Sequence, residues 1–188
     1  MSKLEVRQTH DLDAFLGAPS MASLHGDTFA FFNLGELCGW SVWGEPSRDE
    51  AQALISAIAT AYLPGAPPYY SLVDLRGLSS VSGAGFEVLH QFVEAHRDRM
   101  ATQLVRQAVV RPPGLLGALA SGLYVQLEAK HPVRLFDDLD AAAHWLQPPD
   151  LEALAWLKAT YRQRVAPESM AHRVRTWLLG HLGTSDPG

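Results

Sequence analysis

Val73-Asp74-Leu75-Arg76-Gly77-Leu78-Ser79-Ser80-Val81-Ser82-Gly83-Ala84-Gly85-Phe86-Glu87-Val88-Leu89 is the stretch whose reading decides the fold of this chain. An apolar strand ends in it, a tight serine/glycine turn follows, and a helix opens. Such a junction can bind an anion, because the first amides of a helix lack partners, and it can equally be a plain structural corner.

Working backwards, the strand feeding this turn is Tyr69-Tyr70-Ser71-Leu72-Val73-Asp74-Leu75, set off by the breaker Pro64-Gly65-Ala66-Pro67-Pro68. Before it, Ser47-Arg48-Asp49-Glu50 is a capping box, and Ala53, Leu54, Ile58, Ala61 and Tyr62 form a helical apolar stripe. Thr28-Phe29-Ala30-Phe31-Phe32-Asn33-Leu34 and Leu37-Cys38-Gly39-Trp40-Ser41-Val42-Trp43 read as two strands joined at Gly35-Glu36. Residues 1–26 are mixed, with Gly17-Ala18-Pro19-Ser20 as a loop.

Working forwards, the helix runs from about Gly83 to Ala101, with Phe86, Leu89, Phe92, Val93 and Met100 expected on its core face. Strand Leu104–Val110, a helix over Leu115–Lys130, strand Val133–Phe136 and a helix capped by Asp137 or Asp138 and ending at Leu146 follow. This alternation predicts an α/β fold: a mainly parallel sheet of four to five strands, an N-terminal β-hairpin at its edge, and helices packed on it. Gln147-Pro148-Pro149 reads as a boundary between an α/β domain over 1–147 and a helical extension over 148–188. In that extension the segments Asp150–Arg164 and Glu168–His181 carry apolar stripes that need the main body or a second copy to cover them.

With 188 residues and 47% hydrophobic content, the chain can build one sizeable core. No apolar run reaches the roughly 18 residues that span a bilayer, and Met1-Ser2-Lys3-Leu4-Glu5 does not begin a signal peptide. The single cysteine, Cys38, excludes an internal disulfide and reads as a buried, reduced thiol, so the expected compartment is the cytoplasm. Residues 1–150 carry 10 Lys+Arg against 17 Asp+Glu, and residues 151–188 carry 5 against 3. That acidic body argues against broad nucleic-acid binding by this chain.

The eight histidines (10, 25, 90, 96, 131, 144, 172 and 181) lack metal-ligand spacing, so no metal and no cofactor is expected. No nucleophile elbow, Walker loop or dinucleotide fingerprint follows a strand, and Cys38 has no local base, so no catalytic residue is assigned and no enzyme is expected. Trp40, Trp43, Tyr69 and Tyr70 form a candidate apolar ligand pocket. The alternative is that they simply fill the core between sheet and helices.

The turn resembles that of the STAS family, the anti-sigma-factor-antagonist fold, whose members read Asp-Leu-Ser-Gly, an apolar residue, then Asp-Ser-Ser-Gly opening a helix. Here Val73-Asp74-Leu75-Arg76-Gly77-Leu78 matches the strand end, Val81 the apolar position, Gly85 the glycine, and Phe86 and Leu89 the helix positions. Leu135 to Leu146 is similar to the last strand and helix of the SpoIIAA-like branch, and the resemblance spans roughly 120 residues. The family's aspartate position is Ser82, and its serines are Gly83 and Ala84, so the usual phospho-acceptor position has no hydroxyl. Ser82 reads instead as the helix N-cap. Ser79, Ser80, Ser82 and Gly83 make up the candidate regulatory or partner-binding loop. Separately, Met170 to Leu182 resembles the helix that opens the DNA-binding domain of AraC-type regulators, with no recognition helix after it.

Together these resemblances imply a non-enzymatic sensing or dimerisation domain of a bacterial transcription regulator, the N-terminal part of an AraC-type protein. A homodimer is expected, a protein partner is possible, DNA is reached only through a following C-terminal domain, and no membrane is involved. The alternatives are a free-standing partner-switch protein of the anti-sigma-antagonist kind and a small-molecule or lipid-binding module.

Overall fold

Successive side chains of an extended strand point to opposite faces of its sheet. In β3 (Phe29–Leu34) that rule sends Phe29 and Phe31 one way and Ala30, Phe32 and Leu34 the other, and all five are buried. A strand buried on both faces needs helices on both faces. The computed structural model, which describes residues 4–62, 66–80, 82–114, 117–118, 131–148 and 151–162, has that arrangement.

Among the described residues, seven strands form one sheet in chain order: β1 (Arg7–Thr9), β2 (Ala22–His25), β3, β4 (Leu37–Gly44), β5 (Tyr69–Leu78), β6 (Leu104–Val110) and β7 (Val133–Phe136). β2–β3 and β3–β4 are antiparallel; β1–β2, β4–β5, β5–β6 and β6–β7 are parallel. Among the described residues, three helices line the first face: α1 (Leu12–Gly17), α2 (Arg48–Ala59) and α3 (Gly83–Gln103). Phe15, Leu54, Ile58, Phe92 and Met100 from these helices pack against Leu24, Phe31, Cys38, Val42 and Tyr69. On the second face, Leu139, Ala142 and Leu146 of α4 (Leu139–Leu146) and Ala153 and Leu157 of α5 (Leu151–Arg162) pack against Phe32, Leu37, Leu72, Ala108 and Val110. Helices α2 and α3 share a face because right-handed crossovers between strands laid down in order keep returning to the same side.

The caps anticipated from sequence are present and make tertiary contacts as well. The Ser47 hydroxyl accepts from the Glu50 amide, and Glu50 Oε2 accepts from the Ser47 amide and hydroxyl, both at 3.0 Å. The other oxygen, Oε1, accepts from the amide and hydroxyl of Thr28, both at 2.8 Å, so one carboxylate ties the start of α2 to the β2–β3 turn. Burial pushes the Glu50 carboxyl up, but the hydrogen bonds from Ser47 and Thr28 outweigh it and hold the group below its ordinary value. Asp138, rather than Asp137, caps α4. Gly35, at φ +75°, supplies the left-handed residue that the β3–β4 turn requires.

Two expectations are corrected. Among the described residues the sheet has seven strands rather than four to five, and with two antiparallel pairings it is mixed. The additional strands, β1 and β2, are three and four residues long, too short to show periodicity, and they exist because β3 offers β2 a ladder. Asp11 also caps the short helix α1, its side chain accepting from the Ala14 amide at 3.0 Å, in a region that reads as mixed. Gln147 adopts φ +44° where α4 ends, yet α5 beyond it buries Ala153 and Leu157 completely in the second core. The main body therefore covers Leu157, and in part Leu154, of the first apolar stripe of the tail. The helix expected over 115–130 lies outside the described residues, apart from Gly117 and Ala118, which are helical, and the second tail helix, 168–181, lies wholly outside them. No described helix is long and apolar enough to cross a membrane.

Candidate functional site

β5 runs three residues further than the sequence suggests, to Leu78, and its end is braced from two sides. On the second face, the Asp74 side chain, 1% exposed, faces Arg76, whose side chain is 24% exposed. Asp74 Oδ1 accepts from the Arg76 amide at 3.1 Å and from Nε at 2.9 Å, while Oδ2 accepts from Nη2 at 2.8 Å. An i, i+2 pair on a strand shares a face, which is why the fork closes without distorting the backbone. These bonds from Asp74 hold the Arg76 guanidinium above its ordinary value, against the opposing effect of burial; Asp138 and Asp140 add to the rise.

Toward β4, the Gly44 carbonyl accepts from the amides of Ser79 at 2.8 Å and Ser80 at 3.4 Å. Gly44 sits at φ +66°, a conformation that other residues rarely adopt. Gly77 brings β5 close to β4: a methyl there would stand 2.7 Å from Trp43 Cβ. The strand end is thus held by backbone and buried charge, and the serine loop leaves it from a fixed position.

Ser79 is exposed and Ser80 half-buried, while Val81 lies outside the described residues. Ser82 is the N-cap of α3, its Oγ accepting from the Gly85 amide at 3.1 Å. Gly83 and Ala84 are exposed. Phe86, expected in the core, is 40% exposed, and its ring stacks on His90 at 6.1 Å between centroids with 21° between planes. The helix is anchored by the buried Phe92 and Met100, with Val88, Leu89 and Val93 half-buried against the same core, so Phe86 lies on the side of the helix turned away from it. The result is a corner that offers a partly exposed aromatic ring, two small residues and an exposed serine, Ser79, with Ala84 also on its surface.

The four aromatic residues proposed for a pocket do not meet. Trp40 and Tyr69 pack with the first core, and Trp43 and Tyr70 with the second, because alternation along β4 and β5 puts the sheet between them. Trp43 also donates from Nε1 to the Asp27 carbonyl at 2.7 Å, which fixes it to the β2–β3 turn. Burial pushes the Cys38 thiol up to about 12, so it is a protonated core residue at neutral pH. Among the described residues, no group of three or more His, Cys, Asp or Glu side chains could hold a metal ion.

Two features went unread in the sequence. Arg76 was visible as the partner of Asp74 through the i, i+2 spacing alone. The exposure of Phe86 has no local signal, since its helical spacing to Leu89 and Val93 is that of a core residue.

No family model matches the chain, and no curated protein matches it. Among solved structures, an uncharacterized protein of the DUF3478 family from Shewanella loihica PV-4, described as having a SpoIIAA-like fold, is similar at TM-score 0.50 and 17% identity. The match covers 65% of this chain and 95% of that one. It gives no support to the AraC-like resemblance, and at that identity it speaks for architecture alone: this chain has a SpoIIAA-like fold.

Proposed function

We propose that this chain is a non-catalytic regulatory domain that docks a protein partner at the β5–α3 corner, in the manner of an anti-sigma-factor antagonist but without the family's phospho-acceptor. The observation that carries the reading is Phe86, a large aromatic residue 40% exposed at the start of a helix, beside exposed Gly83 and Ala84. Partly exposed aromatic anchors flanked by small residues are what protein interfaces use at their centres. The clamp of Asp74 on Arg76 and the Gly44 carbonyl hold the corner in shape before a partner arrives, which lowers the ordering cost of binding. Ser79 remains the exposed hydroxyl of the loop.

A photo-crosslinking residue in place of Phe86, in the full chain inside its host cell, tests this. A discrete adduct is expected at position 86 and not at Asp98, an exposed residue more than three turns further along α3. Equal labelling at the two positions would sink the proposal. The finer version, in which the domain is the sensing or dimerising part of an AraC-type regulator, rests on Met170 to Leu182. It is tested by operator binding and dimerisation of the full gene product, and fails if that product binds no DNA.

A further inference from the structure

On the second face, at the β7 margin, four side chains alternate as cation, ring, ring and cation. The Arg134 guanidinium lies 5.4 Å from the centre of the Phe136 ring. Phe136 and Trp145 are 5.7 Å apart, tilted by 48°. The Arg106 guanidinium lies 5.7 Å from the centre of the Trp145 ring, and its Nη1 donates to the Trp145 carbonyl at 3.2 Å. Arg134 is exposed and the other three residues are half-buried. Arg76, Arg97, Arg111 and Lys158 are paired with carboxylates, whereas among the described residues Arg7, Arg48, Arg106 and Arg134 are not, and of these four Arg106 and Arg134 lie over aromatic rings. In a chain with 20 acidic and 15 basic residues, two guanidiniums that flank one pair of rings without a carboxylate are the unexpected feature. Stacking on a ring orients each guanidinium plane and leaves N–H groups at its edge for an anion.

The same strand ends the sheet among the described residues. The Gln107 amide donates to the Pro132 carbonyl and the Arg111 amide to the Phe136 carbonyl, with Gln107 opposite Val133 and Val109 opposite Leu135. In a parallel ladder this turns the amides and carbonyls of Val133 and Leu135 away from β6. Outward backbone groups on an edge strand are a template for an added strand.

We propose that the β7 edge accepts an extended, acidic segment of a protein partner as an eighth strand, with its carboxylates on Arg134 and Arg106. Charge selects this occupant over the others. A second copy would bring the same arginines against themselves, and the tail of the chain, residues 151–188, carries 5 basic against 3 acidic residues. A long polyanion such as nucleic acid would meet the acidic body, with 17 acidic against 10 basic residues over 1–150.

The probe is a short fluorescein-labelled peptide of alternating glutamate and valine, titrated with the full chain at low salt and followed by anisotropy. Saturable binding is expected, weakened about tenfold by Arg134→Gln and by Arg106→Gln. It should be lost when alternate peptide amides are N-methylated, and absent for the lysine–valine counterpart. The methylated and unmethylated arms use the unaltered protein, so the test stands even if a variant folds poorly. Equal binding of the methylated peptide, equal binding by the arginine variants, or no binding of the glutamate peptide would each overturn the proposal. Phe86→Ala should leave this binding unchanged, which separates the β7 edge from the β5–α3 corner.

Discussion

Arg76→Met is the sharpest probe of how the β5 end is held. The substitution keeps the apolar stem and removes the guanidinium, leaving the Asp74 carboxylate, 1% exposed, with the Arg76 amide at 3.1 Å as its remaining partner in the pair. Two charge-assisted bonds at 2.9 and 2.8 Å are lost. Each is worth about 1.5–3 kcal/mol when both partners are dry. Arg76 is a quarter exposed, so solvent screening reduces the sum, and about 3 kcal/mol is expected because a buried charge has been orphaned. For a chain of this size that lowers Tm by roughly 6–12 °C. Asp74→Leu alone should cost less, about 1–2 kcal/mol, since the freed guanidinium can turn to water. The double variant Asp74→Leu/Arg76→Met has no charge left to strand and should lie within about 1 kcal/mol of the parent. Urea unfolding of all four proteins closes the cycle. If the double variant loses as much as the two single losses added together, the pair is not coupled and the clamp does not hold the corner.

Four other outcomes are expected. Glu50→Gln should cost about 1–2 kcal/mol at pH 7, because Glu50 both caps α2 and receives Thr28. Since the folded protein holds this carboxyl below its ordinary value of 4.5, its contribution is present above that pH and is lost as pH falls through the lowered value. The variant and the parent should therefore converge in acid, and a gap that stays constant with pH would contradict the assignment. Gly39→Ala should cost about 3 kcal/mol or more in thermal melts, because its methyl would stand 1.9 Å from the Leu72 carbonyl oxygen and 2.6 Å from Phe32 Cζ. Ser82→Ala should remove about 1 kcal/mol by uncapping α3, and amide exchange should show the change in the first turn of that helix. Cys38 should resist a thiol reagent in the native protein and react once urea unfolds it, as a thiol pushed up to about 12 by burial requires.

Most of the central architecture could be read locally. The Ser47–Glu50 box, the Ser82 and Asp138 caps and the Gly35 turn are contacts within four residues, so the sequence states them directly. The near-continuous apolar runs of β3 and β4 announce strands buried on both faces for the same reason. The absence of a hydroxyl at Ala84, the position that the STAS resemblance aligns with a phospho-acceptor, is equally read from sequence.

What the tertiary structure decided is non-local. β1 and β2 are too short to be strands on their own and become so by pairing with a neighbour already in place. Trp40 and Trp43 look like one aromatic group along the chain, but an odd separation on a strand sends them to opposite cores. Phe86 carries the spacing of a core residue and is left 40% exposed, while Val88 and Leu89 close by on α3 pack against the first core. Arg106 and Trp145 are 39 residues apart and meet only across the β6–α4 packing. The chain by itself states its caps, its turns and its buried strands, because those depend on near neighbours. Which side of the sheet each side chain reaches, and which aromatic residues remain at the surface, depends on how distant elements stack.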